Sequence, residues 1–152
     1  MIGFDDVIHG TCSGTVDDVV LCRNDGVPAY NLAVVVDDAA QGIGEVVRGD
    51  DLVSSTPRQI HLARLLDLPV PRYAHIPLVL GADGARLAKR HGAVTLEQIA
   101  ATGVDAAAVR THLAHSLGLC ERDEAVTMAQ LTERFDPAKL PRRPWVLASP
   151  PK

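Results

Sequence analysis

Four cationic side chains fall close together in a stretch bounded by glycines: Arg86, Lys89, Arg90 and His91. A glycine-flanked loop with this much positive charge can hold a triphosphate and stabilise the negative charge that moves onto a leaving pyrophosphate. The same spacing is typical of a solvated surface turn, and no Walker-type glycine pattern precedes it. Spacing alone therefore leaves nucleotide chemistry and an ordinary turn both open.

Two further residues have side chains suited to binding an amino acid. Arg48 ends a short apolar segment, where α/β folds place their chemistry, and its guanidinium can hold a carboxylate through two hydrogen bonds. The alternative is an ion pair with Asp50 or Asp51. Tyr30 can offer its hydroxyl to a ligand, although a tyrosine in an apolar run is more often a core ring.

Metal-ligand patterns are missing from the sequence. The chain has six histidines and three cysteines, without a C-x-x-C pair or an H-E-x-x-H motif. His112 and His115 are three residues apart on a predicted helix but have no carboxylate or cysteine placed with them. The adjacent Asp37 and Asp38 are interpreted as residues that end an element. We therefore predict no zinc site within this chain.

Composition narrows the class of protein. The chain has 152 residues, of which 47% are hydrophobic and 22% charged, as in globular proteins of about one domain. Only 3% are aromatic, so binding of single strands by base stacking is not expected. The net charge of -4 excludes a general basic surface for DNA, and any RNA contact must be local.

The sequence predicts no membrane segment. Its most apolar stretch, around 31–36, is interrupted by Asp37 and Asp38, far short of the roughly 20 residues that a membrane span needs. The first residues carry no basic group, so we expect no signal peptide. The expected location is the reducing cytoplasm, without disulfides.

Local patterns predict an α/β part over residues 1–92. The β-branched segment Val16–Arg23 and the following Asn24-Asp25-Gly26 turn indicate a hairpin. The apolar run 29–36 is compatible with a buried strand or a buried helix, and its valines favour a strand. Three further elements are predicted: a strand over 45–49, a helix from about Thr56 to Asp67 that begins with Ser/Thr hydroxyls and Pro57, and a strand over 75–80.

The sequence of residues 93–152 predicts a small helical domain with a proline-rich tail. Thr95 and Thr127 each precede a run of helix formers, and Asp105 is placed to cap a helix that continues through Leu117. The change in composition near 92–95 is the predicted domain boundary.

Five stretches resemble the class I glutamyl-tRNA synthetases in order and spacing. The likeness is strong from Phe4 to Gly92 and looser as far as Trp145. It implies a partial Rossmann-like catalytic domain followed by the helical domain, and it favours a helix over 32–40 against the strand preference of the valines. The stretches are Asp25–Asp38, Val47–Leu52, Ser55–Gln59, His75–Leu78 and Arg86–Gly92.

The resemblance assigns roles to individual residues. Tyr30 and Arg48 correspond to residues that contact the bound glutamate. The basic loop corresponds to the family's KMSKS loop, with Lys89 as the catalytic lysine that contacts ATP. Ala88 stands where the motif has serine, which removes one hydroxyl donor. The positions of this loop are Arg86, Leu87, Ala88, Lys89 and Arg90.

The implied reaction is activation of glutamate with ATP and Mg²⁺, followed by transfer to RNA. The likeness is greatest to the short members of the family, which attach glutamate to the queuosine base in the anticodon loop of tRNA(Asp). Two alternatives stay open: a portion of an ordinary glutamyl-tRNA synthetase, and a non-catalytic module that binds nucleotide or RNA.

The resemblance also implies what the 152 residues lack. They contain no HIGH-type ATP motif, and Cys12 and Cys22 do not fall where the family's zinc ligands would. We therefore expect the chain to correspond to the C-terminal half of such an enzyme and to be inactive alone. Apolar faces at 33–36, 46–47 and 76–80 are expected to be partly open, which predicts self-association.

Overall fold

The computed structural model describes residues 1–87 and 95–147. The chain separates into two compact units, Met1–Ile76 and Pro77–Lys152. The predicted boundary between residues 92 and 93 lies outside the described residues.

The first unit contains a mixed four-stranded sheet in the order β2-β1-β4-β3. β1 and β2 form an antiparallel hairpin, whereas β4 runs parallel to both β1 and β3. In the β3–β4 register Arg48 stands opposite His75. The parallel pairs confirm the predicted α/β class. The strands are β1 (Ile2–Asp6), β2 (Gly10–Gly14), β3 (Glu45–Gly49) and β4 (Arg72–Ile76).

Two helices pack in this unit, α1 (Tyr30–Ala40) and α2 (Thr56–Leu65). The helix expected over 32–40 is confirmed, because packing of the half-buried Val34 and Val35 beside Val46 and Tyr73 of the sheet outweighs the strand preference of valine. The helix expected from Thr56 is confirmed as well, with proline in its first turn. The capping detail differs: Ser55 makes no capping bond, and the Thr56 hydroxyl donates to the Leu52 carbonyl of a preceding 3₁₀ turn.

The hairpin predicted around residues 16–28 is only partly present. The turn forms, with Gly26 at a positive φ of 80° and its N–H donating to the Arg23 carbonyl. The flanking segment does not form a strand, and pairing is limited to one bridge between Cys22 and Pro28. The physical reason is that Pro28 has no N–H for the ladder and that helix α1 begins two residues later.

The second unit combines two short parallel strands with helices. The predicted strand over 75–80 is divided by Pro77, so that Ile76 ends β4 and Val79 begins β5. All three predicted helix starts are confirmed: Thr95 and Thr127 form capping boxes, and Asp105 accepts from the Ala108 N–H. The elements are β5 (Val79–Gly81), α3 (Leu96–Ala101), α4 (Ala106–Ser116), α5 (Met128–Arg134) and β6 (Trp145–Leu147).

A buried acid–imidazole pair links strands β1 and β4. Asp6 is 4% exposed and His75 is 0% exposed, and 2.6 Å separates Asp6 Oδ2 from His75 Nδ1. Burial raises the pKa of Asp6, but hydrogen bonds from the His9 backbone, His75 and the Ile8 backbone together hold it below its ordinary range. Burial lowers the pKa of His75, and Asp6 opposes this effect only in part. The folded unit therefore holds His75 neutral beside an ionised Asp6.

Acid is expected to destabilise the fold as His75 begins to bind a proton in the unfolded chain. Because the pKa of folded His75 lies below its ordinary value of 6.5, the unfolded chain binds more protons once the pH falls through 6.5. The free energy of unfolding then decreases by as much as about 1.4 kcal/mol per pH unit for each extra proton. Asp6 adds a second loss below about pH 4.

Urea denaturation at a series of pH values measures this dependence. His75→Asn should give a flatter curve between about pH 6.5 and 5. The slope that remains is assigned to His112 of the second unit, whose pKa burial also lowers. An unchanged slope in His75→Asn would contradict the assignment.

Strand β3 forms one edge of the described sheet and carries Val47, which is 60% exposed. An apolar edge strand can pair with another copy of the chain. We expect sedimentation velocity to detect concentration-dependent association that Val47→Lys reduces. The matched control is Val36→Lys on helix α1, 41% exposed and away from any strand edge. Equal effects of the two substitutions would exclude edge pairing as the cause.

Candidate active site

The Arg48 guanidinium at the end of β3 is the centre of a polar cluster. Its Nε–H donates to His75 Nε2 at 3.0 Å, and Nη1 donates to Gln59 Oε1 at 2.6 Å. Nη2 donates to Thr56 Oγ1 at 2.8 Å and to the Leu52 carbonyl at 3.4 Å. Four of the five guanidinium N–H groups thus have acceptors within the protein, and one N–H on Nη1 has none among the described residues.

Helix α2 supplies two of these acceptors because Thr56 and Gln59 lie three residues apart, on one face of the first helical turn. Both residues are buried. Gln59 also donates from Nε2 to Asn31 Oδ1 at 3.2 Å, which connects the cluster to helix α1. The strand end and both helices therefore fix one orientation of the guanidinium.

Every hydrogen-bond acceptor of Arg48 among the described residues is neutral. No carboxylate of residues 1–87 or 95–147 lies within ion-pair distance of it, so the predicted alternative of a pair with Asp50 or Asp51 is not formed. Burial lowers the pKa of the guanidinium, and the nearby Tyr73 and Tyr30 oppose this effect. A half-buried cation with neutral partners is a site that favours an incoming anion.

The Tyr73 ring supports the cation from within the sheet. The guanidinium carbon lies 5.2 Å from the ring centroid, a cation–π distance. A small cavity of about 10 Å³ also reaches Arg48, lined by α1, β3 and Tyr73. This volume holds at most one water molecule, so an amino acid must approach Arg48 from its solvent-exposed side.

Tyr30 is the first residue of helix α1 and is 62% exposed. The structure therefore places its ring at the surface and not in the core. Tyr30 lies within electrostatic range of Arg48. The two residues that sequence patterns singled out for an amino acid are thus near one another.

The basic loop is described only at its start. Arg86 and Leu87 follow a tight turn closed by the Gly84 N–H, which donates to the Gly81 carbonyl, and beyond this turn the Leu87 N–H donates to the Val79 carbonyl at 3.2 Å. Gly84 takes a positive φ of 74° in this turn, and Asp83 accepts from the Ala85 N–H. Ala88, Lys89 and Arg90 lie outside the described residues.

Sequence reasoning missed the groups that hold Arg48. Thr56, Gln59 and His75 lie inside stretches that carry the family resemblance, but their residue types alone did not indicate a shared site. No sequence pattern indicated a role for Asp6, since its contact with His75 joins residues 69 positions apart. The available clue was the presence of polar residues within otherwise apolar strands.

The described residues do not fit a metal site. No group of three His, Cys, Asp or Glu side chains among them is arranged to hold an ion. Within the same residues no helix has the length and apolar character to cross a membrane.

Comparison with curated proteins finds close relatives. The chain is 61% identical over 142 residues to a protein named Glutamyl-Q tRNA(Asp) synthetase from Nocardia farcinica, covering 93% of this chain and 44% of that protein. It is 46% identical over 147 residues to a Glutamate–tRNA ligase from Nitrosospira multiformis, covering 94% of this chain and 31% of that protein. The chain thus spans less than half the length of these relatives.

A solved structure shares the fold. The glutamate-tRNA synthetase of Elizabethkingia anophelis superposes with a TM-score of 0.79 at 26% identity, covering 97% of this chain and 34% of that one. The family model "tRNA synthetases class I (E and Q), catalytic domain" matches residues 1–149. With this match over nearly its whole length, the chain belongs to the class I tRNA synthetases for glutamate and glutamine, within their catalytic domain.

Proposed function

We propose that this chain forms part of an enzyme that activates glutamate with ATP and transfers it to the queuosine base of tRNA(Asp). The observation that carries the proposal is the half-buried Arg48, which has neutral partners and one N–H available for an external acceptor. The names of the relatives support glutamate as the amino acid and a tRNA as the acceptor.

Arg48 and Tyr30 bind the glutamate in this proposal. The available N–H on Nη1 of Arg48 donates to a substrate carboxylate, and the exposed Tyr30 hydroxyl supplies a second contact. Because the other Arg48 donors are occupied, one direct hydrogen bond forms without rearrangement. A contact through both nitrogens requires exchange of the long 3.4 Å bond to the Leu52 carbonyl.

The loop at 86–90 serves ATP. In the activation step a carboxylate oxygen of glutamate forms a bond to the α-phosphorus, and the bond from that phosphorus to the pyrophosphate oxygen breaks. Lys89 stabilises the charge that develops on the leaving pyrophosphate. Mg²⁺ accompanies ATP and neutralises phosphate charge when bound, and zinc belongs to the family's upstream subdomain. The described residues contain no group of three or more His, Cys, Asp or Glu side chains arranged to hold an ion, so none of them is assigned to either metal.

We propose the cytoplasm as the location, in keeping with the free thiols of Cys12, Cys22 and Cys120. We also propose that copies of the chain associate through exposed apolar residues such as Val47.

A chimeric enzyme tests the amino-acid site. The chain replaces the matching segment of the Nocardia farcinica relative, and glutamate-dependent exchange of pyrophosphate into ATP is measured. Arg48→Lys should raise the KM for glutamate about ten- to hundredfold, because lysine lacks the planar donor set that the cluster holds. Tyr30→Phe should raise it by less, about three- to tenfold.

The matched control is Arg23→Lys, since Arg23 is exposed and, within residues 1–87 and 95–147, forms its ion pair with Asp25. It should leave the KM unchanged. The 152-residue chain assayed alone is expected to give no exchange, because correct positioning of ATP and glutamate supplies about 7–11 kcal/mol of the barrier. An unchanged KM for glutamate in Arg48→Lys would refute the glutamate site. A chimera that shows no pyrophosphate exchange would support the non-catalytic nucleotide- or RNA-binding alternative.

A second pair of chimeras tests the acceptor. The identity of 61% to a glutamyl-Q enzyme against 46% to a glutamate–tRNA ligase favours queuosine-containing tRNA(Asp). We expect the chain to retain transfer to queuosine in the first host and to lose transfer to tRNA(Glu) in the Nitrosospira multiformis host, with exchange retained in both. The reverse result would favour the ordinary glutamyl-tRNA synthetase.

A further inference from the structure

His75 lies between the carboxylate of Asp6 and the guanidinium of Arg48. Its Nδ1 is 2.6 Å from Asp6 Oδ2, and its Nε2 is 3.0 Å from Arg48 Nε. All three residues come from different strands, β1, β4 and β3. His75 is fully buried, so this chain of contacts is closed to bulk water at its centre.

The partners of His75 determine which nitrogen carries the proton. Asp6 is ionised and accepts, which requires a hydrogen on Nδ1 of the ring. Arg48 Nε–H donates, which requires a lone pair on Nε2. Only the neutral Nδ1–H tautomer satisfies both contacts. The Thr56 hydroxyl lies 3.2 Å from Nε2 and 3.2 Å from the Leu52 carbonyl, so in this tautomer both are acceptors for its hydrogen.

We propose that Asp6 and His75 are positioning residues for Arg48 in amino-acid binding. Asp6 holds the tautomer of His75, and His75 holds the Nε side of the guanidinium, so that the Nη1 N–H keeps a fixed direction toward the ligand. This inference rests on the proposed function of Arg48. Neither Asp6 nor His75 touches the substrate in this arrangement.

The surroundings of His75 leave the ring little freedom. Tyr73 stacks on it at a centroid distance of 6.0 Å and an interplanar angle of 13°, and Phe4 meets it edge-on at 6.4 Å. The His75 backbone N–H also donates to Asp6 Oδ2 at 3.1 Å. Ring, backbone and carboxylate are therefore fixed together.

Protonation of His75 would remove the acceptor for Arg48. A second ring hydrogen on Nε2 would face the Arg48 Nε–H, and the attraction would become a repulsion. The charged and titratable groups that face His75 are Asp6 on β1, His9 beyond it, Arg48 on β3 and Tyr73 on β4. Glutamate affinity should therefore weaken at acid pH.

Three substitutions separate the two contacts. His75→Gln places an amide oxygen near the position of Nε2 and keeps an acceptor for Arg48. His75→Asn reaches only as far as Nδ1 and leaves the Arg48 Nε–H without a partner. Asp6→Asn keeps one oxygen for the backbone N–H groups of Ile8 and His9 but turns a donor toward His75, which forces its hydrogen onto Nε2.

The chimera described above is assayed with each variant. His75→Asn and Asp6→Asn should raise the KM for glutamate about tenfold and leave the KM for ATP unchanged. His75→Gln should recover most of the affinity that His75→Asn loses. The matched control is His61→Asn on helix α2, which should not change either KM. Thermal unfolding of each variant tests that it is folded.

Nitrogen NMR of the 152-residue chain gives a readout that needs no activity. The ¹⁵N shifts of His75 should report a protonated Nδ1 and an unprotonated Nε2, and Asp6→Asn should exchange the two. A wild-type ring protonated at Nε2 would overturn the inference.

The kinetic outcomes separate the two proposals. If Arg48→Lys raises the KM for glutamate but the Asp6 and His75 variants do not, the glutamate site stands and the positioning role is overturned. If the Asn and Gln variants of His75 lose affinity equally, the contact to Arg48 does not control binding and the inference fails. If the unsubstituted chimera shows no exchange, the proposed function fails, and the tautomer measurement still decides the Asp6–His75–Arg48 geometry.

Discussion

The first unit is organised around a positive charge held inside the protein by neutral acceptors. Removing a guanidinium from water costs several kcal/mol, and hydrogen bonds to a charged group return about 1.5–3 kcal/mol each. Arg48 recovers this cost through His75, Gln59, Thr56 and a backbone carbonyl. Strand β4 supplies one of these acceptors and helix α2 supplies two, so both elements must pack against β3 for the charge to be tolerated.

These acceptors are neutral, so the positive charge of Arg48 is not balanced by a carboxylate in direct contact among the described residues. The nearest acids act on Arg48 only at a distance, and an anionic ligand would complete the site. Folding already desolvates part of the guanidinium and fixes its orientation. Binding of such a ligand therefore avoids much of that free-energy cost.

Local sequence signals predicted the helices of the second unit well, since Thr95, Asp105 and Thr127 act on backbone groups only three residues away. They were weaker where distant contacts decide the structure. Helix α1 follows from the family resemblance and not from its valines. The β1–β2 hairpin was not predicted, and the segment around Val20 failed to form a strand because Pro28 interrupts its partner.

The candidate site shows the same division. Arg48 stood out because a charged residue ends an apolar strand, and Tyr30 gained its interpretation from the family resemblance. Asp6, Gln59 and His75 were not recognisable, since a buried polar residue acquires its meaning only from a partner that the fold brings to it.

The register of strands β3 and β4, with Arg48 opposite His75, has a consequence for folding fidelity. Side chains alternate between the two faces of a sheet, so a slip of one residue would carry Arg48 to the face opposite His75. It would leave a buried imidazole without its donor and a cation without its acceptor, a far larger penalty than mismatched valines would incur. The contact between Arg48 and His75 therefore favours the native register of β3 and β4 over registers shifted by one residue.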